Sequence, residues 1–241
     1  MADPLVLLHG FTQTGAAWDG VRALLPERET LAPDLRGHGA RAGDRPIDTA
    51  TLVADVLAAA PPRFDLAGYS MGGRLALHVA LAARGRVRRL TLVATTAGIA
   101  DPQDAQRRRD ADEELAVLLE RDGIEAFADH WGALPLFARQ TEAQRARARA
   151  MRLDQDPAGL AAALRGFGTG TMDPVWDRLA TLELPVTIVV GSEDDRFREV
   201  ARRLHAAMPW ARVVVVAGAG HALPFEAPGA LARALRASPA P

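Results

Sequence analysis

The sequence predicts an α/β fold: a mostly parallel sheet of about six strands flanked by helices, with an all-helical insertion. Three observations carry that expectation. Short apolar runs alternate with segments of helical spacing, a glycine-flanked serine joins one such run to a helix, and a long middle stretch contains no strand. Strands buried on both faces read as continuous apolar runs, and parallel pairing requires a crossover between them, usually a helix.

Pro4–Leu8 (PLVLL) is the first expected strand and Thr30–Ala32 a short second one. Phe64–Ala67, Arg89–Ala94, Pro185–Val190 and Arg212–Ala217 follow. Helical spacing covers Ala16–Leu25, Thr49–Ala60, Arg74–Ala83, Val175–Leu182, Phe197–Met208 and Ala230–Ala237. Between about Gly98 and Asp173 the alternation stops. Asp101-Pro102, Asp156-Pro157 and Asp173-Pro174 each place an acid at an N-cap ahead of a proline at the first helical position. Thr141 and Gln144 have capping-box spacing, and Gly123 and Gly166 are expected helix stops. A helical segment between two strands is expected to cover the strand ends. The expected organisation is a core of residues 1–97 and 175–241 with a helical cap at 98–174.

Composition removes several classes of function. The 241 residues, 49% hydrophobic, suit one α/β domain with an insertion. No apolar run reaches bilayer length and the start has no basic segment, so neither a membrane partner nor a signal peptide is expected, and a cytoplasmic location is. The absence of cysteine excludes disulfides, thiolate metal sites and a cysteine nucleophile. A net charge of −1 leaves no footprint for nucleic acid. All 29 basic residues are arginine, so any cation in a site is a guanidinium, suited to bidentate carboxylate binding.

Gly68-Tyr69-Ser70-Met71-Gly72 follows a strand-like run and precedes a helix-like one, the context of a G-x-S-x-G nucleophile elbow. Such a turn exposes the serine hydroxyl, and the helix behind it favours developing negative charge. Ser192 lies in a loop and Ser238 in the terminal tail, so Ser70 is the candidate. A serine needs a base, and the base needs an orienting acid. Asp194 in Gly191–Asp195 follows an expected strand at its carboxyl end and is the first candidate acid, with Asp195 as the alternative. His221 in Gly218-Ala219-Gly220-His221 follows the last strand in the same way. Each other histidine has a simpler explanation: His78 packs in the helix after the elbow, His130 lies in the insertion and His205 on a helix face. His9 and His38 support glycine-flanked loops. The backbone N–H groups of Met71 and Phe11 are the candidate oxyanion hole.

These residues, in the chain order Ser…Asp…His, resemble the α/β-hydrolase family across essentially the whole chain. Several stretches are more particular: Leu8–Thr12, Gly68–Leu75, Arg107–Asp110 ahead of Asp112 and Ala116, Trp131 ahead of Leu134–Phe137, and Leu164–Gly170. Together they resemble the 2-succinyl-6-hydroxy-2,4-cyclohexadiene-1-carboxylate synthases of menaquinone biosynthesis. The resemblance implies a carbon–oxygen lyase that eliminates pyruvate from a small multi-carboxylate substrate, 2-succinyl-5-enolpyruvyl-6-hydroxy-3-cyclohexene-1-carboxylate, with no metal and no organic cofactor. It implies substrate contacts from Tyr69, Arg74, Arg108, Trp131 and Arg152, with Arg107 and Arg109 as neighbours that could replace Arg108. It also implies that Ser70, polarised by His221 and Asp194, acts as a general base without forming an acyl-enzyme. A carboxylester hydrolase on the same scaffold is the alternative, because ester attack and proton abstraction beside a carbonyl need the same parts. Residues 98–174 carry 10 Arg against 14 Asp plus Glu, so the insertion has no general basic patch. Anion-binding arginines there must be selected by direction, and Arg145, Arg147 and Arg149 are expected on a solvated face.

Overall fold

The expected apolar runs form one sheet. In the computed structural model, which describes residues 3–236, its strands are β1 (Leu5–Leu8), β2 (Thr30–Leu31), β3 (Phe64–Tyr69), β4 (Val87–Val93), β5 (Val186–Gly191) and β6 (Arg212–Val216). Met1, Ala2, Ser238 and the last residue of the helix expected at Ala230–Ala237 lie outside the described residues. The order is β2-β1-β3-β4-β5-β6, and every pairing is parallel. Helices α1 (Asp19–Arg22), α2 (Thr49–Ala59) and α3 (Met71–Ala82) precede the insertion, whose helices are α4 (Pro102–Gly132), α5 (Glu142–Leu153) and α6 (Pro157–Phe167). Helices α7 (Asp195–Ala207), α8 (Leu223–Glu226) and α9 (Pro228–Arg236) follow. Among the described residues, no helix is long and apolar enough to cross a membrane.

Side-chain alternation along the strands divides the core between the two faces of the sheet. Val6, Leu8, Leu66, Leu92 and Ile188 pack with α2, α3 and α7. Leu5, Leu7, Ala67, Val93 and Val189 pack with Trp18, Leu231 and Leu235 on the other face. A third cluster, including Leu119, Phe127, Leu160 and Leu164, joins α4 to α6 within the insertion. The chain enters and leaves the insertion at one place: Val175 N–H donates to the Ala97 carbonyl at 2.9 Å, and the Trp176 indole N–H donates to the Gly98 carbonyl at 2.9 Å.

Several boundaries differ from the sequence reading. Strand β3 runs on to Tyr69 and α3 starts at Met71, leaving Ser70 alone at the junction. Gly123 does interrupt the helical backbone of α4, as the sequence suggests, at a φ of 82° that glycine adopts without strain, but helix resumes directly beyond it. The segment expected as a helix at Val175–Leu182 is a 3₁₀ helix, Trp176–Thr181, and Asp173-Pro174 caps no α-helix because Val175 is tied to Ala97. The N-terminal helical stretch is a 3₁₀ turn, Gly15–Trp18, followed by the single turn of α1. Asp101 and Asp156 cap α4 and α6, and Thr141 with Gln144 forms a capping box on α5.

At the amino end of the sheet, Asp65 of β3 is buried between two guanidinium groups. Both Arg28 and Arg89 donate to its Oδ2, Arg89 at 2.9 Å.

Candidate active site

Ser70 occupies the turn between β3 and α3 with φ 51° and ψ −109°, a conformation that costs a non-glycine residue energy and persists only when its surroundings enforce it. Enforcement comes from four hydrogen bonds, one of them from Gly73 N–H to the Ser70 carbonyl at 3.1 Å, and from close packing. Ser70 N–H donates to the Val93 carbonyl at 2.9 Å, the Thr95 hydroxyl donates to the Ser70 carbonyl at 2.7 Å, and Arg74 N–H donates to that carbonyl at 3.1 Å. A Cβ at Gly72 would lie 2.2 Å from the Leu8 carbonyl oxygen, so α3 can approach β1 this closely through glycine alone.

The structure brings Ser70, Asp194 and His221 together. His221 Nδ1 lies 2.7 Å from Asp194 Oδ2, and a carboxylate partner there requires Nδ1 to carry the proton. Nε2 is then the acceptor, 3.4 Å from Ser70 Oγ. Asp194 is buried, and its other oxygen accepts the Phe197 N–H at the start of α7. Asp195, the alternative acid, points away: its side chain is 92% exposed and pairs with Arg198. The N–H groups of Phe11 and Met71 donate to no acceptor among the described residues, as an oxyanion hole requires.

A cavity of about 700 Å³ opens over this group, lined by Ser70, Phe11, Arg74, Arg108, Trp131 and His221 among others. Arg74 is buried; it donates to the Phe167 carbonyl at 3.2 Å and lies over the Phe167 ring. Burial lowers its pKa, Arg108 adds to that, and Asp112 opposes it. Of the three consecutive arginines, Arg108 lines the cavity and donates from Nε to Asp112 at 2.8 Å. Arg107 is exposed and pairs with Asp104, and Arg109 donates to the Gly170 carbonyl. Arg152 lies over the Phe137 ring beside a smaller chamber of about 40 Å³ shared with Tyr69, Gln13, Gln140, Ser70 and His221. Its Nε is buried with no hydrogen-bond partner among the described residues, and burial lowers its pKa. Tyr69 is buried too, and burial raises its phenol, with Glu226 and Asp194 adding to the shift. Trp131 stacks on Phe127 and meets Phe11 edge-on, closing the apolar side of the cavity.

Arg145, Arg147 and Arg149 are exposed on α5, as the sequence suggests. Arg149 pairs with Asp129, whereas Arg147 lies over Phe225 and Arg145 donates to the Gln140 carbonyl. His9 and His38 are fully buried. His9 donates from Nδ1 to the Gly10 carbonyl and accepts the Leu35 N–H at Nε2, tying the Phe11 loop to the loop after β2. The sequence reading assigned no role to two carboxylates. Asp112, buried between Arg108 and Arg74, was legible from its i,i+4 spacing to Arg108. Glu226 accepts the N–H groups of Gly220 and Ala222, and its spacing to His221 carried no signal.

Residues 5–234 match the model of the alpha/beta hydrolase family. A Bacillus subtilis protein provisionally named a 2-succinyl-6-hydroxy-2,4-cyclohexadiene-1-carboxylate synthase is 34% identical over 94% of this chain and 86% of its own length. The synthase of that name from Enterobacter sp. is 30% identical over 96% of this chain and 89% of its own. Among solved structures, MenH from S. aureus superposes with a TM-score of 0.90 at 27% identity, covering 98% of this chain and 92% of that one. A malate-bound thermophilic esterase from Thermogutta terrifontis superposes at 0.83, also at 27% identity, covering 98% and 89%. On the parallel sheet, the elbow and the match across 5–234, the chain belongs to the alpha/beta hydrolase family.

Proposed function

We propose that the chain is a carbon–oxygen lyase that eliminates pyruvate from 2-succinyl-5-enolpyruvyl-6-hydroxy-3-cyclohexene-1-carboxylate, giving 2-succinyl-6-hydroxy-2,4-cyclohexadiene-1-carboxylate. One observation carries the reading. Arg74, Arg108 and Arg152 surround the space above Ser70, and Arg152 is buried without a carboxylate partner among the described residues. A buried cation is costly unless something pairs with it, and a carboxylate-bearing substrate supplies that pair. The similarity to named synthases at 30–34% identity supports the same reading.

In this reading Ser70, Asp194 and His221 act as one base. His221 Nε2 takes the Ser70 hydroxyl proton, and Ser70 Oγ takes the ring proton beside the succinyl ketone. The electron pair passes onto the ketone oxygen, held by the Phe11 and Met71 N–H groups, and returns through the ring alkene. The bond from the ring to the enolpyruvyl oxygen breaks, and the departing enolate gains a proton to become pyruvate. Asp194 keeps the imidazole in the tautomer that can accept. Segment 98–174 is the cap over the site, and residues 1–97 with 175–241 are the core.

A carboxylester hydrolase is the second reading, favoured by the 0.83 superposition on an esterase. Incubation with the cyclohexene precursor, monitoring pyruvate, with a short-chain aryl ester in parallel, separates the two. Pyruvate release without an ester burst is expected; an ester burst without pyruvate overturns the lyase reading.

A further inference from the structure

The loop carrying His221 is tied at its start to the loop after β5: Gly218 N–H donates to Ser192 Oγ and Glu193 N–H to the Ala219 carbonyl, both at 2.9 Å. Residues 218–222 form neither helix nor strand, and Gly218 has a φ of 70°. Asp194 holds the imidazole ring, but ring contacts leave the backbone beneath it to be fixed separately. For the N–H groups on either side of His221, one carboxylate does this. Glu226, the last residue of α8, accepts the N–H of Gly220 at Oε2 and the N–H of Ala222 at Oε1, the latter at 3.2 Å. These are the two residues flanking His221. Leu223 N–H donates to the His221 carbonyl at 2.9 Å and completes the turn.

Helix α8 does not need this carboxylate to dock. Leu223, Pro224 and Phe225 are buried, and Glu226 N–H donates to the Ala222 carbonyl at 3.0 Å. Glu226 faces Tyr69, Asp194 and His221 electrostatically, and burial raises its carboxyl. No step of the proposed elimination uses it.

We propose that Glu226 is a positioning residue: it clamps the two N–H groups on either side of His221 and so sets the line from Nε2 to Ser70 Oγ. The inference rests on the reading of His221 as the proton acceptor of Ser70. Losing both acceptors unpairs the Gly220 and Ala222 N–H groups and lets the backbone at His221 shift, and a shift of about 1 Å at a reacting group costs about 100-fold in rate.

The test compares Glu226→Ala and Glu226→Gln with the wild type in kcat, KM, thermal unfolding and the downfield proton resonance of the His221–Asp194 hydrogen bond. Glu226→Ala is expected to lower kcat about 100-fold with KM changed by less than about 3-fold, and to broaden the resonance while the fold persists. Glu226→Gln keeps one acceptor oxygen, so a loss of about 10-fold is expected. Unchanged kcat with an intact resonance in Glu226→Ala overturns the proposal. So does unfolding of both variants, which would make Glu226 a brace of the whole fold. If the wild type releases no pyruvate, the proposed reaction falls, and the resonance in the variants still decides this inference.

Discussion

Strand β3 ends in buried charge at both of its ends, but the two ends handle it differently. At the amino end, Arg28 and Arg89 both donate to Asp65 Oδ2, so the charges are paired within the protein, although Asp65 Oδ1 is buried with no hydrogen-bond partner among the described residues. Beyond the carboxyl end, Arg74 finds a carbonyl and an aromatic ring, and Arg152 finds a ring and no acceptor for its Nε among the described residues. The first arrangement is closed and serves stability. The second opens on a cavity, where in the proposed reading a substrate carboxylate completes it. Buried charge thus marks a site when its countercharge is missing, not merely when it is buried.

The largest test of this contrast exchanges the two ends. Ser70→Ala is expected to reduce pyruvate release by at least about 1,000-fold and to leave chemical denaturation within about 0.5 kcal/mol of wild type. Asp65→Asn is expected to do the reverse. Removing one partner of a buried pair costs about 3–5 kcal/mol, and kcat per folded molecule should stay near wild type. Similar behaviour of the two variants in either assay would break the comparison.

A smaller effect sharpens it. Arg152→Met keeps the stacking surface over Phe137 but removes the charge, so KM is expected to rise about 10–100-fold. Urea unfolding should show no loss of stability, because no internal ion pair is broken; destabilisation on the scale of Asp65→Asn would assign Arg152 to the closed class.

The smallest effect is read from pH. Burial lowers His9 to about 4 and His38 to about 3, with His9 adding to the shift at His38. The unfolded chain, with ordinary histidines near 6.5, therefore binds protons first on acidification. Stability from these neutral rings is complete above pH 6.5 and declines as pH falls toward 4, by up to about 1.4 kcal/mol per pH unit for each ring. His38→Gln should remove one ring's share of that slope in denaturation measured between pH 6.5 and 4.5. An unchanged slope would show that His38 does not contribute.

Much of the site was legible because its chemistry is local. The elbow depends on glycines adjacent in sequence to Ser70, and each catalytic candidate follows a strand within a few residues. The helix caps at Asp101, Thr141 and Asp156 act across two or three residues, so they were legible for the same reason. That helix resumes directly beyond the break at Gly123 was not, because a glycine that ends a helix and one that interrupts it look alike until the packing beyond them is known.

The sequence by itself determined the parallel α/β order, the helical insertion and Ser70 at an elbow, since apolar period, turn chemistry and capping are properties of neighbours along the chain. Tertiary structure decided which of several adjacent residues faces inward. Asp194 and Asp195 have the same chemistry, but one is buried against His221 and the other is in solvent. Arg107, Arg108 and Arg109 are equally basic, yet successive residues on a helix point about 100° apart, and only their packing decides that Arg108 meets the cavity. Tertiary structure likewise decided the place of Glu226, whose partners are backbone N–H groups that no side-chain pattern reveals.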